Sequence, residues 1–239
     1  MSDRHTDNGG ANTLLIVRHG QASYGAENYD VLSPLGIKQA RRLGTWLAQR
    51  KIYLDAVWTG PLQRQADTAR HLVEAAAEEG LRLPQPQVLD DLRERPAELL
   101  SMRIAPQLHQ ESFERLSNGL SIKEKAELKH QLVMDMWVRG QADIGELESF
   151  AAFEERALRA FKQIMDSAAA GQRVVAVTSA GLVSMAMRLA LQLEPSSAMK
   201  LGFVTMNSGV TELSFHEQKP KLVSFNSVGH LEREDVSHI

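Results

Sequence analysis

Short apolar runs along the chain are separated by longer stretches with apolar residues three and four positions apart, the pattern of a parallel sheet wrapped in helices. Thr13 to Val17 is a short apolar run that stops at Arg18-His19-Gly20, predicting a strand buried on both faces with a loop at its carboxyl end. Ser33-Pro34 offers an N-cap with proline at the first helical position, and Leu35, Leu43 and Leu47 then keep helical spacing. Ala56 to Trp58 predicts a second strand. Gly60-Pro61 opens a helix with Leu62, Ala66, Ala69, Val73 and Ala76 along its buried face. Val174 to Val177, the small-residue turn Thr178-Ser179-Ala180-Gly181 and helical Leu182 to Leu193 repeat the strand-to-helix design.

The remaining segments fill in the outline. Pro84 and Pro86 bound a short segment at Val88-Leu89. From Pro96 to Gly145 the chain is rich in charge, Gln and Met, and Leu128, Leu132 and Met136 mark one helix there, so a helical excursion placed to cover a site is expected. Ser149 caps a helix whose apolar stripe is Phe150, Phe153, Ala157, Phe161 and Ile164. Val210 to Phe215 and Leu222 to Phe225 flank Lys219-Pro220 as two strands in hairpin-like contact. Residues 1–12 are polar and without periodicity, and are read as a flexible leader. Residues 13–239 are read as one α/β domain with a helical insertion at about 96–145.

Composition narrows the function classes. The 239 residues contain no cysteine, which excludes disulfides, thiolate metal sites and a cysteine nucleophile. The formal net charge of -3 gives no electrostatic case for nucleic acid or an anionic membrane, so any anion site must be local. No run approaches the roughly 20 apolar residues of a membrane span, and Met1 to Asn12 has no signal-peptide core; a cytoplasmic protein is expected.

In a parallel sheet, ligands collect at the carboxyl ends of the strands, where helix N-termini point free N–H groups outward. Four segments should end there: Arg18-His19-Gly20, Thr59-Gly60-Pro61 leading to Arg64, Leu92-Arg93-Glu94, and Thr178-Ser179-Ala180-Gly181. Together they supply an imidazole nucleophile, two guanidiniums to clamp an anion, a carboxyl group to protonate a leaving oxygen and a helix N-terminus, the parts of a phosphoryl-transfer site. Each has a plainer alternative: Arg64 as a solvated helix residue, Glu94 as part of a surface cluster with Asp90, Asp91, Arg93 and Arg95, and Ser179 as a helix cap. An Arg-His pair ending a strand buried on both faces fits packing poorly, because both groups are costly to bury unpartnered.

These segments resemble the histidine phosphatase superfamily, which includes the cofactor-dependent phosphoglycerate mutases, from Thr13 to Leu231. Arg18-His19-Gly20 after an apolar strand is its signature, and Leu32-Ser33-Pro34-Leu35-Gly36-Ile37-Lys38-Gln39-Ala40 is similar to the segment that follows. Pro61-Leu62-Gln63-Arg64-Gln65-Ala66-Asp67-Thr68-Ala69 resembles its second-arginine helix, Leu92-Arg93-Glu94 its acid segment, and Glu148-Ser149 the start of its later helix. The resemblance implies a three-layer α/β/α sandwich with a mostly parallel central sheet. It implies that His19 attacks phosphorus to give a phosphohistidine that water hydrolyses, with Glu94 as the acid. Arg18, Arg64, Gly20, Ser23, Ser179, Ala180 and His230 are the implied substrate contacts. No cofactor is implied, and no metal is needed where arginines neutralise the phosphoryl charge.

Two departures stand out. Ser179 takes the position where the family usually has a second histidine. Losing that charge-assisted donor should weaken transition-state stabilisation by about 1.5 to 3 kcal/mol, or roughly one to two powers of ten in rate. The first loop, Gln21-Ala22-Ser23-Tyr24-Gly25-Ala26-Glu27-Asn28, lacks the family's usual Thr and Asn, with Ser23 and Asn28 as candidate substitutes. His230 lies in Phe225-Asn226-Ser227-Val228-Gly229-His230-Leu231, which resembles the family's closing segment. The expected activity is a metal-independent phosphomonoesterase acting on a small phosphorylated metabolite or phosphopeptide. The rivals are phosphoglycerate mutase-type transfer and a catalytically weak phospho-ligand-binding regulator.

Overall fold

The computed structural model describes residues 11–23 and 29–238. Its strands are β1 (Asn12–Arg18), β2 (Ala56–Thr59), β3 (Gln87–Val88), β4 (Arg173–Thr178), β5 (Val210–His216) and β6 (Lys219–Ser227). They form one six-stranded sheet in the order β3-β2-β4-β1-β5-β6. The pairings from β3 through β2 and β4 to β1 are parallel, and β5 is antiparallel to both β1 and β6. The carboxyl ends of β1 to β4 therefore point the same way. Strand β1 begins at Asn12, inside the segment read as a leader, because the Asn12 side chain accepts from Gln172 N and its backbone lies opposite Phe215. The rest of that expected leader, residues 1–10, lies outside the described residues.

Eight α-helices are described: α1 (Pro34–Gln49), α2 (Gln63–Glu78), α3 (Ala97–Ile104), α4 (Gln110–Leu116), α5 (Ile122–Val138), α6 (Phe150–Ser167), α7 (Ala180–Leu191) and α8 (Pro195–Val204). The alternation of side chains along β1 and β4 divides the core in two. Leu15, Val17, Val175 and Val177 pack with Leu43, Leu47, Leu72 and Val73 of α1 and α2. On the opposite face Leu14, Ile16, Val174 and Ala176 pack with Phe153, Phe161, Leu182 and Met185 of α6 and α7. Each of the Leu, Ile, Val, Phe and Met side chains contributes roughly 1.5 to 3 kcal/mol when taken fully from water, so both faces of the sheet must be covered, and the result is the three-layer sandwich.

Helix starts follow local chemistry. Ser33 Oγ accepts from Gly36 N at the head of α1, and Ser149 Oγ accepts from Ala152 N at the head of α6. Helix α2 begins at Gln63, after Pro61 and Leu62 have turned the chain, which puts Arg64 in its first turn. The excursion holds three α-helices where the sequence marked one. On α5 the buried residues are Val133, Met134 and Trp137; Leu128, Leu132 and Met136 lie only partly covered. Trp137 sets that rotation: its ring meets Phe150 and Phe153 at 5.3 and 5.6 Å, and its N–H donates to Glu148 O.

Candidate active site

The four strand ends converge on a cleft of about 740 Å³, lined among others by Arg18, His19, Arg64, Glu94, Ser179 and Ala180. That volume suits a small organic molecule. At its floor His19 is 4% exposed. Its Nδ1 lies 2.7 Å from Gly20 O, a carbonyl that can only accept, so the proton sits on Nδ1. Its Nε2 accepts from Arg64 Nε at 3.2 Å. Burial, with help from the Arg18 and Arg64 charges, pushes the His19 pKa well below its ordinary 6.5. The imidazole is thus neutral at pH 7, with an in-plane lone pair on Nε2 facing the cleft cations.

Backbone geometry fixes that ring. Gly20 N donates to Thr68 Oγ1, and the chain at Gly20 passes so close to α1 that a Cβ there would lie 2.4 Å from Gly36 O. Ser208 N donates to the carbonyls of both Arg18 and His19, and Ser208 has a left-handed backbone with φ of 58°. Arg18 extends from β1 and is tied through NH1 to the carbonyls of Thr205 and His238. Its Nε is buried with no partner among the described residues, an orphan donor of the kind that an anion satisfies. Arg64, also nearly buried, is oriented by Asp30, whose carboxylate accepts from Arg64 NH1 at 2.6 Å and from Gln63 N at 2.9 Å.

Glu94 lines the cleft but is engaged on both oxygens. Oε1 accepts from Arg95 N and NH1 at 2.8 and 2.9 Å, and Oε2 accepts from Gly181 N at 2.8 Å. The helix N-terminus expected to face a phosphate thus gives its Gly181 N–H to Glu94, which is drawn there by the favourable end of the α7 dipole. Ser179 makes no side-chain cap on α7; instead its Oγ accepts from Gln65 Nε2 at 2.9 Å.

Three expected contacts are placed elsewhere. Gly20 supports His19 from behind and does not line the cleft. Ser23 is also outside the lining, and its backbone N–H donates to Val31 O. His230 is buried away from the cleft, with Nε2 2.9 Å from Ser208 Oγ, so it touches the site only through the loop that holds the His19 carbonyl. Asn28 lies outside the described residues. Conversely, Tyr29, Arg95 and His130 line the cleft without having been singled out, and Gln65 and Thr68 support it from beneath. A signal for the last two existed: both are polar residues at inner positions of the α2 stripe that continues through Ala69, Leu72 and Val73.

A sequence profile matches residues 14–228. The chain belongs to the histidine phosphatase superfamily (branch 1). Among curated proteins, a 2,3-bisphosphoglycerate-dependent phosphoglycerate mutase of Staphylococcus carnosus is 41% identical over 68 residues, covering 26% of this chain and 30% of that protein. The match therefore spans less than a third of that relative's length. Among solved structures, a phosphoglycerate mutase from Bacillus anthracis superposes with a TM-score of 0.64 at 21% identity, over 95% of this chain and 97% of that one. A mutant phosphoserine phosphatase from Entamoeba histolytica in complex with phosphoserine gives 0.61 at 18% identity, over 92% and 100%. These two likenesses establish a shared fold. No helix among the described residues is long and apolar enough to cross a membrane.

Proposed function

We propose that this superfamily member is a phosphomonoesterase in which His19 carries the phosphoryl group. The observation that carries the reading is the His19 ring itself: neutral, protonated on Nδ1 toward Gly20 O, with Nε2 presented between two arginines. A phosphoryl group entering the cleft takes over the Arg64 Nε donor from His19 and satisfies the orphan Arg18 Nε, so Arg64 exchanges a neutral acceptor for a charged one and Arg18 gains a charge-assisted bond. His19 Nε2 then forms a bond to phosphorus as the ester P–O bond breaks, and the leaving oxygen takes a proton from Glu94, which the monoanionic phosphate ester has protonated on entering the cleft. Water attacks the phosphohistidine, Glu94 takes back a proton, and phosphate leaves with neutral His19 restored. Glu94 acts only after exchanging one of its three hydrogen bonds, so acid catalysis includes a small local rearrangement. With Arg18 and Arg64 supplying the positive charge, the proposed reaction needs no metal ion.

The proposed substrate is a small phosphorylated metabolite; the 740 Å³ cleft and the phosphoserine complex of the amoebic structural relative support that size class. Ser179 and Ala180 complete the proposed phosphate contacts. The test is incubation with phenyl phosphate, phosphoserine and 3-phosphoglycerate, assaying released phosphate and acid-labile phosphohistidine, with His19→Ala as control. Release that disappears in the variant supports the reading, and release that persists unchanged sinks it. Interconversion of phosphoglycerate isomers in place of release would assign the mutase reaction. Tight phosphate binding without turnover would assign a regulatory binding role, the reading that the neutral Ser179 favours.

A further inference from the structure

Gln65 is fully buried beneath the cleft, and its amide orientation is dictated by neighbours that can each play only one role. Its Oε1 faces Leu62 N at 3.2 Å, a donor only. Its Nε2 faces Leu92 O at 3.2 Å, an acceptor only. Nε2 therefore also donates to Ser179 Oγ, 2.9 Å away. The Leu92 carbonyl is saturated, because Thr178 Oγ1 donates to it at 2.8 Å. The Ser179 hydroxyl is thus compelled to accept from Gln65. Its own proton has no acceptor among the described residues, and Ser179 is 1% exposed, so the surface it keeps belongs to the cleft that it lines.

A serine at the head of a helix ordinarily turns its oxygen onto the N–H of the first turn. Here Glu94 Oε2 takes Gly181 N, which releases Ser179 from that duty. We infer that Gln65 is a positioning residue that aims the Ser179 hydroxyl proton at the transferring phosphoryl group, so that the pair forms a neutral, non-titrating donor beside the two arginines. The inference rests on the phosphomonoesterase reading and deepens it: it names the device by which this chain keeps a third donor without a third charge.

The test is a double-mutant cycle between Gln65→Met and Ser179→Ala, read as kcat and KM for phenyl phosphate and, independently of turnover, as the affinity for inorganic phosphate by calorimetry. Each single change should lower kcat about tenfold, the value of one hydrogen bond realised in the transition state, with a smaller effect on KM. In the Ser179→Ala background Gln65→Met should change kcat less than twofold. Equal effects of Gln65→Met in both backgrounds would assign Gln65 a purely structural role and overturn the inference. Thermal melts establish that each variant is folded. Where Gln65→Met is not, the isosteric Gln65→Glu replaces it: the carboxylate accepts the Ser179 proton and turns the hydroxyl away, so the loss should be larger with Ser179 present than with Ala. If the wild type binds phosphate but does not turn over, the phosphomonoesterase reading fails alone, and the same cycle in phosphate affinity decides the hydroxyl's orientation. If it neither turns over nor binds phosphate, both fail.

Discussion

At the scale of single residues, Arg64 shows how much one side chain is asked to hold. Its guanidinium reaches His19 through Nε and Asp30 through NH1, so a flat, forked donor spans nucleophile and carboxylate together. Lysine keeps the charge but has one compact ammonium, which cannot occupy both positions. Arg64→Lys should lower kcat/KM for phenyl phosphate by about 10- to 100-fold, with phosphate affinity falling in parallel; a variant within twofold of the wild type would place the clamp elsewhere. The places of His19, Arg18, Arg64 and Glu94 at the cleft were legible in the sequence because each lies at or beyond the carboxyl end of a strand, in a recognisable order. Arg95 and His130 were not, since a charged residue on a loop or a polar helix reads the same whether it faces water or a cleft. The capping role of Glu94 also escaped the sequence: it joins residues 87 positions apart.

At the scale of elements, the loop that follows strand β1 meets helix α1 with almost no space between their backbones at Gly20 and Gly36. A Cβ on Gly36 would lie 2.1 Å from Gln21 O, and one on Gly20 would lie 2.4 Å from Gly36 O, both against rigid backbone. Gly20→Ala should therefore push the His19 loop off α1, with a stability loss of about 1 to 3 kcal/mol and a loss of phosphate release beyond what the unfolded fraction explains. Urea titration and activity on the folded variant measure the two separately; unchanged stability and unchanged rate would refute the close-approach argument. The sandwich was legible because strands buried on both faces leave continuous apolar runs, whereas amphipathic helices space their apolar residues by three and four. The insertion was only half legible. Helix α5 touches the core over its final turns, so most of its length carries no stripe, and the rotation is set by Trp137 meeting aromatics of α6.

At the scale of the molecule, buried histidines make folding depend on pH. Burial, reinforced by the nearby Arg42 charge, lowers the His230 pKa to about 4, while the unfolded chain holds this group near its ordinary 6.5. His19 is lowered in the same direction. Below pH 6.5 the unfolded chain then binds more protons than the folded one, so stability is greatest above 6.5 and falls as pH drops toward 4. The His230 shift alone corresponds to about 3 kcal/mol when fully expressed, of which about 2 kcal/mol is lost between pH 7 and pH 5. His230→Gln removes this titration while keeping a partner for Ser208 Oγ, although it lowers stability at pH 7 by loosening the packing around the ring. Carboxylates that titrate in the same range act equally on both proteins, so the comparison isolates the histidine. Urea unfolding at pH 7 and pH 5 should show the wild type losing about 2 kcal/mol more than the variant across that interval. Equal losses would mean that His230 takes up its proton in the folded state at an ordinary pKa, and that the loop from Thr205 to Gly209, which holds the His19 carbonyl, tolerates a charge behind it.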